Sequence, residues 1–382
     1  MVLSTAVMKT HFTEDLKKRI ANESDLELRS IREEAFAEFA SKGFPSLSHE
    51  DWKYTNVAPI ATADWTIDSG RSNSPAALAI DDLKRFDFRR NGFTALHLAF
   101  ADIAVLEIEK DTAVIDPIEF NFAAEDGNAI FPHVIIIARA GSKATIVESY
   151  EGTGRCFTNT AVQVLVEENA NLTHYRIQKE SAEAFHYGVT EVLVERGTYN
   201  ATNINFGGAI SRHDIELKFV AEGGEAWVDG LYMLNGSQHS DTHSIIDHTV
   251  PNCTSHQNYK GVMNDGSRAV FNGKVFVREN AHGTDAQQSN KNLLLSNDAR
   301  VDTKPQLEIF NDDVKCSHGA TVGQLEEEEL FYLLTRGLPE TLARNLLTYG
   351  FAEEIINKIG IDSIKSDLDA AVLHRLNTKL EG

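Results

Sequence analysis

Cysteine is scarce: Cys156, Cys253 and Cys316 are the only three in 382 residues, odd in number and far apart. No disulfide framework is implied, and a reducing compartment is the natural setting. Basic residues fall short too, with 36 Lys plus Arg against 57 Asp plus Glu and a formal net charge of −21. A surface of that sign repels phosphates, which argues against a nucleic-acid partner and against adsorption to an anionic membrane. Long apolar runs are missing. Val134-Ile135-Ile136-Ile137-Ala138 is far too short to span a bilayer, and the opening MVLSTAVMK has neither the basic stretch nor the sustained apolar core of a secretory signal. The expectation is a cytoplasmic protein. A phosphate loop is missing as well: Gly261-Val262-Met263-Asn264-Asp265-Gly266-Ser267-Arg268 has the glycine spacing but not the Lys that reaches the phosphates. The chain is therefore expected to bind and hydrolyse no nucleotide.

What remains is ample material for a buried core without a stabilising staple. Ser24-Asp25-Leu26-Glu27 has the form of a capping box, and Leu28, Ile31, Ala35, Phe36 and Phe39 follow at helical spacing until Gly43 and Pro45 close the helix. The aromatic-rich Asp51-Trp52-Lys53-Tyr54-Thr55-Asn56 reads as a core-anchoring turn. Residues 1–92 are thus expected to form an N-terminal helical region. From 93 to 323 the character changes to short alternating apolar runs, such as Thr145-Ile146-Val147-Glu148 and Ile215-Glu216-Leu217-Lys218-Phe219, broken at Glu168-Asn169, Glu222-Gly223-Gly224 and Asn264-Asp265-Gly266. After Gly266 the β-segments restart near Ala269, Ala286, Ala299 and Cys316, at intervals of 17, 13 and 17 residues. An irregular period of this kind, without interleaved helices, fits a stack of β-coils, a β-helix whose ends the flanking helical regions would cap. A β-sandwich with long hairpins fits the same pattern. Residues 324–382 return to helix, with Pro339 in a favourable first turn and apolar sets such as Phe351, Ile355, Ile356 and Ile359; this unit packs onto the β-region or offers its apolar face to another protein.

Three sets of residues could carry chemistry. In Asp312-Asp313-Val314-Lys315-Cys316-Ser317-His318-Gly319-Ala320-Thr321 a thiol and an imidazole stand two apart, so an extended backbone points both donors to one face, with Lys315 favouring the thiolate. Sulfur and imidazole ligands suit iron, zinc and iron–sulfur centres, but two donors do not complete a site. Taken alone, this spacing fits a buried thiol and a hydrogen-bonded imidazole at least as well. His239, His243, His248 and His256 lie close to Asp241, Asp247 and Cys253, yet Ser240 stands where a zinc protease needs its general-base Glu, and hydrogen-bonded coil residues account for the cluster. Paired carboxylates on a β-helix would suit a polysaccharide-active enzyme, but no pair can be chosen from sequence.

Several blocks together resemble the SufB/SufD family of SUF-system iron–sulfur cluster assembly proteins. They are Asp51-Trp52-Lys53-Tyr54-Thr55, Asp241-Thr242-His243, Ser255-His256-Gln257-Asn258-Tyr259-Lys260-Gly261, Ala286-Gln287-Gln288-Ser289-Asn290-Lys291-Asn292-Leu293-Leu294-Leu295, Lys304-Pro305-Gln306-Leu307-Glu308-Ile309 and the segment around Cys316. The wording of that last segment, and the absence of a cysteine-rich stretch, place the resemblance nearer to SufD than to the paralogous SufB. The resemblance implies a mainly β protein, a right-handed parallel β-helix core flanked by N- and C-terminal α-helical regions. It implies a non-catalytic scaffold that pairs with a SufB-like subunit and binds a SufC-like ABC ATPase through its C-terminal helices; the state of the isolated chain, with a homodimer among the options, is left open. It also implies a transient iron–sulfur cluster at the junction with the SufB-like partner, with His318 and Cys316 as its metal-binding residues here, and an association of the complex with reduced flavin.

Overall fold

The computed structural model describes residues 5–68 and 80–376. The first helical layer comprises α1 (Thr5–Ala21), α2 (Leu26–Lys42), two single turns α3 (Ala58–Ala61) and α4 (Ile80–Leu83), and α5 (Gly92–Phe100). The strands are β1 (Thr66–Ile67), β2 (Asp102–Ile108), β3 (Ile118–Ala124), β4 (Asn128–Ile130), β5 (Pro132–Ala138), β6 (Lys143–Gly152), β7 (Phe157–Val166), β8 (Asn171–Glu180), β9 (Phe185–Val194), β10 (Thr198–Asn205), β11 (Ile210–Phe219), β12 (Glu225–Leu234), β13 (His239–His248), β14 (Thr254–Met263), β15 (Arg268–Val277), β16 (Thr284–Leu294), β17 (Arg300–Ile309) and β18 (Val314–Gly323). Three helices follow: α6 (Glu327–Thr335), α7 (Glu340–Ile356) and α8 (Asp362–Arg375).

From β6 onward each strand pairs in parallel with the strand two ahead, so the chain alternates between a sheet running β3 to β18 and one running to β17. The product is a parallel β-solenoid with two strands to a coil. Register partners lie a coil apart, as with Thr198 opposite Glu225 and Thr254 opposite Asp285. The 13- to 17-residue restarts in the sequence are thus half-coils. The corners sit where the sequence breaks: Asn169 (φ 58°), Gly223 (φ 82°) and Asp265 (φ 53°) all take the left-handed conformation that Gly, Asn and Asp tolerate best.

Alternation sorts the side chains of each strand. Val134, Ile136 and Ala138 of β5, with Val162, Val164 and Val166 of β7, face into the solenoid and join Ile146, Leu172 and Val228 from the other sheet. Their neighbours Ile135 and Ile137 face out and belong to a second buried cluster that includes residues of α2 and α5 with Trp52 and Trp65. On the opposite sheet the outward Val147, Tyr175, Ile177, Leu231 and Met233 are covered by Ala352, Ile355 and Ile356 of α7 and Leu368 and Val372 of α8. The helical parts were expected over the ends of the stack. They lie instead on its two outer faces, because those faces carry the apolar residues that need cover. The end formed by β17 and β18 has no further strand paired to it among the described residues.

Local signals shifted slightly. The cap of α2 is Asp25, whose carboxylate accepts from the backbone N–H groups of Glu27 and Leu28, one residue after the expected Ser24, and Gly43 closes the helix with its N–H on the Phe39 carbonyl. Trp52 is buried, with the Arg212 guanidinium 3.8 Å from its ring centre and the Phe93 ring stacked at 5.3 Å, so the aromatic turn does anchor the N-terminal layer to the sheet.

His97, His133, His213 and His248 are buried as neutral groups. Burial pushes His133 and His248 down to about 4, and pushes His97 and His213 well below the ordinary histidine value. Below about pH 6.5 the unfolded chain protonates these residues and the folded chain does not, so the folded state loses about 1.4 kcal/mol per pH unit for each of them as pH falls toward 4. Urea unfolding at pH 7 and pH 5 is expected to show a clearly lower midpoint at pH 5, and a smaller drop in His133→Gln. Equal midpoints at the two pH values would contradict this account.

Candidate functional site

β18 is the last strand of its sheet and carries both donors singled out in the sequence. Its register with β16 sets Cys316 against Ala286 and His318 against Gln288. Ala286 and Gln288 are both buried, at 0% and 3% exposure, so Cys316 and His318 share the strand face that looks along the solenoid interior. Cys316 is half-buried and packs on the interior apolar cluster, whereas His318 is exposed on the last strand of its sheet among the described residues. No group of three or more His, Cys, Asp or Glu side chains that could hold a metal is present among the described residues. The site offers one thiol and one imidazole.

Lys315 does not do what its position in the sequence promised. It faces outward, exposed, in register with Asp285. Burial raises the Cys316 thiol above its ordinary value, the Asp285 charge adds to the rise, and a hydrogen bond with the Ala286 backbone opposes it. The resting state is therefore the thiol, and a metal would have to displace a proton to gain a thiolate ligand there.

Behind this pair the interior turns polar. Gln257 donates from Nε2 to Ser244 Oγ, and Gln288 donates from Nε2 to Gln257 Oε1 at 2.7 Å. Asn290 donates to Tyr232 Oη at 3.0 Å, and Thr303 donates to Asn290 Oδ1 at 2.8 Å. These residues escaped individual notice in the sequence. The signal was there in Gln288, Asn290 and Asn292, polar residues at a spacing of two on what should be the apolar face of a strand.

The histidine-rich segment makes no metal site. His239, Asp241 and His243 face outward beneath the N-terminal turn, where Thr55 donates to Asp241 Oδ2 at 2.6 Å and Arg212 reaches the same oxygen at 2.9 Å. Burial by itself would raise the Asp241 carboxyl, but Arg212 and His243 outweigh it and hold the group well below the usual carboxylate range. His248 faces inward and meets Ser255 Oγ at 2.8 Å, and His256 lies against Trp227 at 6.0 Å between ring centres. The segment binds the N-terminal turn to the solenoid, which explains why the two motifs occur together.

The three thiols differ in access. Cys156, buried and with its thiol pushed up to about 12, and Cys253, also buried, should resist iodoacetamide at pH 7 until the protein unfolds. Cys316 should label first, but more slowly than a free thiol, by roughly tenfold for each unit of pKa rise. Mass spectrometry that finds Cys156 or Cys253 modified ahead of Cys316 would overturn this order.

Residues 120–351 match the family described as SUF system FeS cluster assembly, SufBD core domain, and residues 6–81 match the SufBD protein N-terminal region. The chain is 37% identical over 295 residues to an iron-sulfur cluster assembly SufBD family protein of Synechocystis sp., covering 73% of this chain and 65% of that protein. It is 35% identical over 258 residues to the iron-sulfur cluster assembly protein SufD of Escherichia coli, covering 66% and 61%. With a SufBD family protein of Mycobacterium tuberculosis the identity is 30% over 288 residues, covering 73% and 72%. The matched part thus spans a little under two thirds of the first two relatives. The chain belongs to the SufBD family of SUF-system iron–sulfur cluster assembly proteins.

Proposed function

We propose that this chain is a non-catalytic, SufD-like scaffold subunit of a cytoplasmic SUF assembly complex, and that Cys316 and His318 supply part of the ligand set for a nascent cluster at its junction with a SufB-like subunit. The observation that carries this reading is the position of the two donors: side by side on one face of the last strand, at an end of the stack that is open to another protein. A cluster needs about four protein ligands, and this face offers two. The remainder would come from across the junction, and the cluster is cargo here, built and passed on. An isolated chain has the same open edge, which suits pairing with a second copy.

The division of labour follows the three segments 1–92, 93–323 and 324–382. The last would receive a SufC-like ATPase. None of α6 is buried, and its Phe331 and Tyr332 are 66% and 55% exposed, an apolar surface of the kind that docks a partner. Behind it, α7 is tied to the solenoid: Glu354 is ion-paired with Lys260 of β14 and accepts from Asn258 at 3.0 Å, and Lys358 just past α7 reaches Asp229 of β12 at 2.7 Å. Closure of two ATPases on ATP would pull on these helices, shift the sheet that ends in β18 and open the junction to iron and sulfur. Reduced flavin, where it acts, belongs to the assembled complex.

Two measurements test the reading. His318→Ala should assemble with its partners at the normal stoichiometry and lose cluster formation by tenfold or more in the reconstituted complex; full cluster formation by an assembled variant would remove the ligand role. Phe331→Asp with Tyr332→Asp should weaken ATPase binding at least tenfold with the thermal unfolding of the isolated chain unchanged, and undiminished binding would move the ATPase surface elsewhere.

A further inference from the structure

The ladder behind His318 stops one step short. Gln257 and Gln288 stand in register on neighbouring strands; Gln257 donates across the interior to Ser244 Oγ of the facing sheet, and Gln288 donates down the stack to Gln257 Oε1. The Gln288 oxygen is therefore turned away from Gln257, in the sense of the amide ladders of other in-register parallel sheets. The Gln257 oxygen is taken by Gln288. For Gln288, a residue only 3% exposed, Oε1 is sealed from solvent and has no hydrogen-bond partner. The residue in register above it, about 4.8 Å along the stack, is His318. The space for the ladder is built in: a Cβ on Gly273 of the facing sheet would lie 2.4 Å from Gln288 Nε2 and 2.9 Å from the Phe271 ring.

An enclosed carbonyl oxygen without a donor is costly, and the group above it is an imidazole with one N–H to give. Rotation about the His318 side-chain bonds would complete the ladder. We propose that Gln288 is the positioning residue for His318: its Oε1 accepts the imidazole N–H and so fixes the tautomer whose other ring nitrogen turns its lone pair toward the open end of the solenoid. Histidines that bind metals are commonly held this way by a carbonyl or carboxylate on the far nitrogen, which sets both the ring plane and the tautomer. The inference rests on His318 acting as a ligand, and it adds that the ligand is prepared before any metal arrives.

The test is NMR of the ring nitrogens in the full chain labelled with ¹⁵N-histidine, the His318 signals being those lost in His318→Ala. In the parent protein the two nitrogens should show the widely separated shifts of a single neutral tautomer. In Gln288→Leu they should move to the exchange-averaged values of a free histidine. Gln288→Glu, which keeps an acceptor at the same place, should retain the single-tautomer pattern, and averaged shifts there would count against the proposal. Averaged shifts in the parent, or unchanged shifts in Gln288→Leu, would overturn it. Failure of this inference is separable from failure of the ligand role. His318→Ala that abolishes cluster formation beside unaltered shifts in Gln288→Leu removes Gln288 alone. Altered shifts beside full cluster formation in His318→Ala remove the ligand role alone.

Discussion

Parallel strands stacked in register give every side chain a fixed neighbour about 4.8 Å along the axis, and alternation sends successive residues to opposite faces. This one constraint governs the rest of the molecule. It sorts Val134 and Ile136 into the solenoid and Ile135 and Ile137 out of it, so that both faces of each sheet demand apolar cover. The inside is filled by the facing sheet. The outside is filled by helices, the N-terminal set on one sheet and the C-terminal set on the other.

The same constraint lets polar groups live inside. Glu148 meets His174 at 2.8 Å and Glu180 meets His186 at 2.8 Å, all four buried, and Tyr150 donates to Glu148 at 2.9 Å. Burial would raise both carboxyls, but the imidazoles and hydrogen bonds outweigh it and lower them. A buried charge survives only when its partners are placed with care, and a register that repeats from coil to coil does the placing. Polar groups recur along the interior, from Glu148 and His174 near its start to the amides of β16 beneath Cys316 and His318.

Much of this was legible in the residues. The period-two pattern, the Gly, Asn and Asp corners and the helical flanks gave the class of fold, because each is a local signal. The packing of the helices on the outer faces was not legible, since an apolar helix stripe does not say which of several apolar surfaces it meets. The pairing of Cys316 with His318 followed from spacing alone. The state of the thiol did not, because Lys315 is adjacent in sequence yet on the opposite face, while Asp285 and the surrounding apolar atoms come from another coil. Gln288 was hidden for a like reason: its meaning depends on Gln257 one coil before it and His318 one coil after it.

A stack whose last coil is bare has no geometric reason to stop growing. Among the described residues no strand pairs with the outer edges of β17 and β18, and a template of that kind invites further copies, coil upon coil. The chain's own deterrents are modest: Pro305 within β17, which an edge strand tolerates and a central one would not, and the charged Asp302, Lys304 and Glu308 beside it. The net charge of −21 adds a repulsion between copies that salt would weaken. Solubility of the isolated chain thus becomes a property of its final coil and of ionic strength, and a protein seated on that coil would act as a stopper as well as a companion.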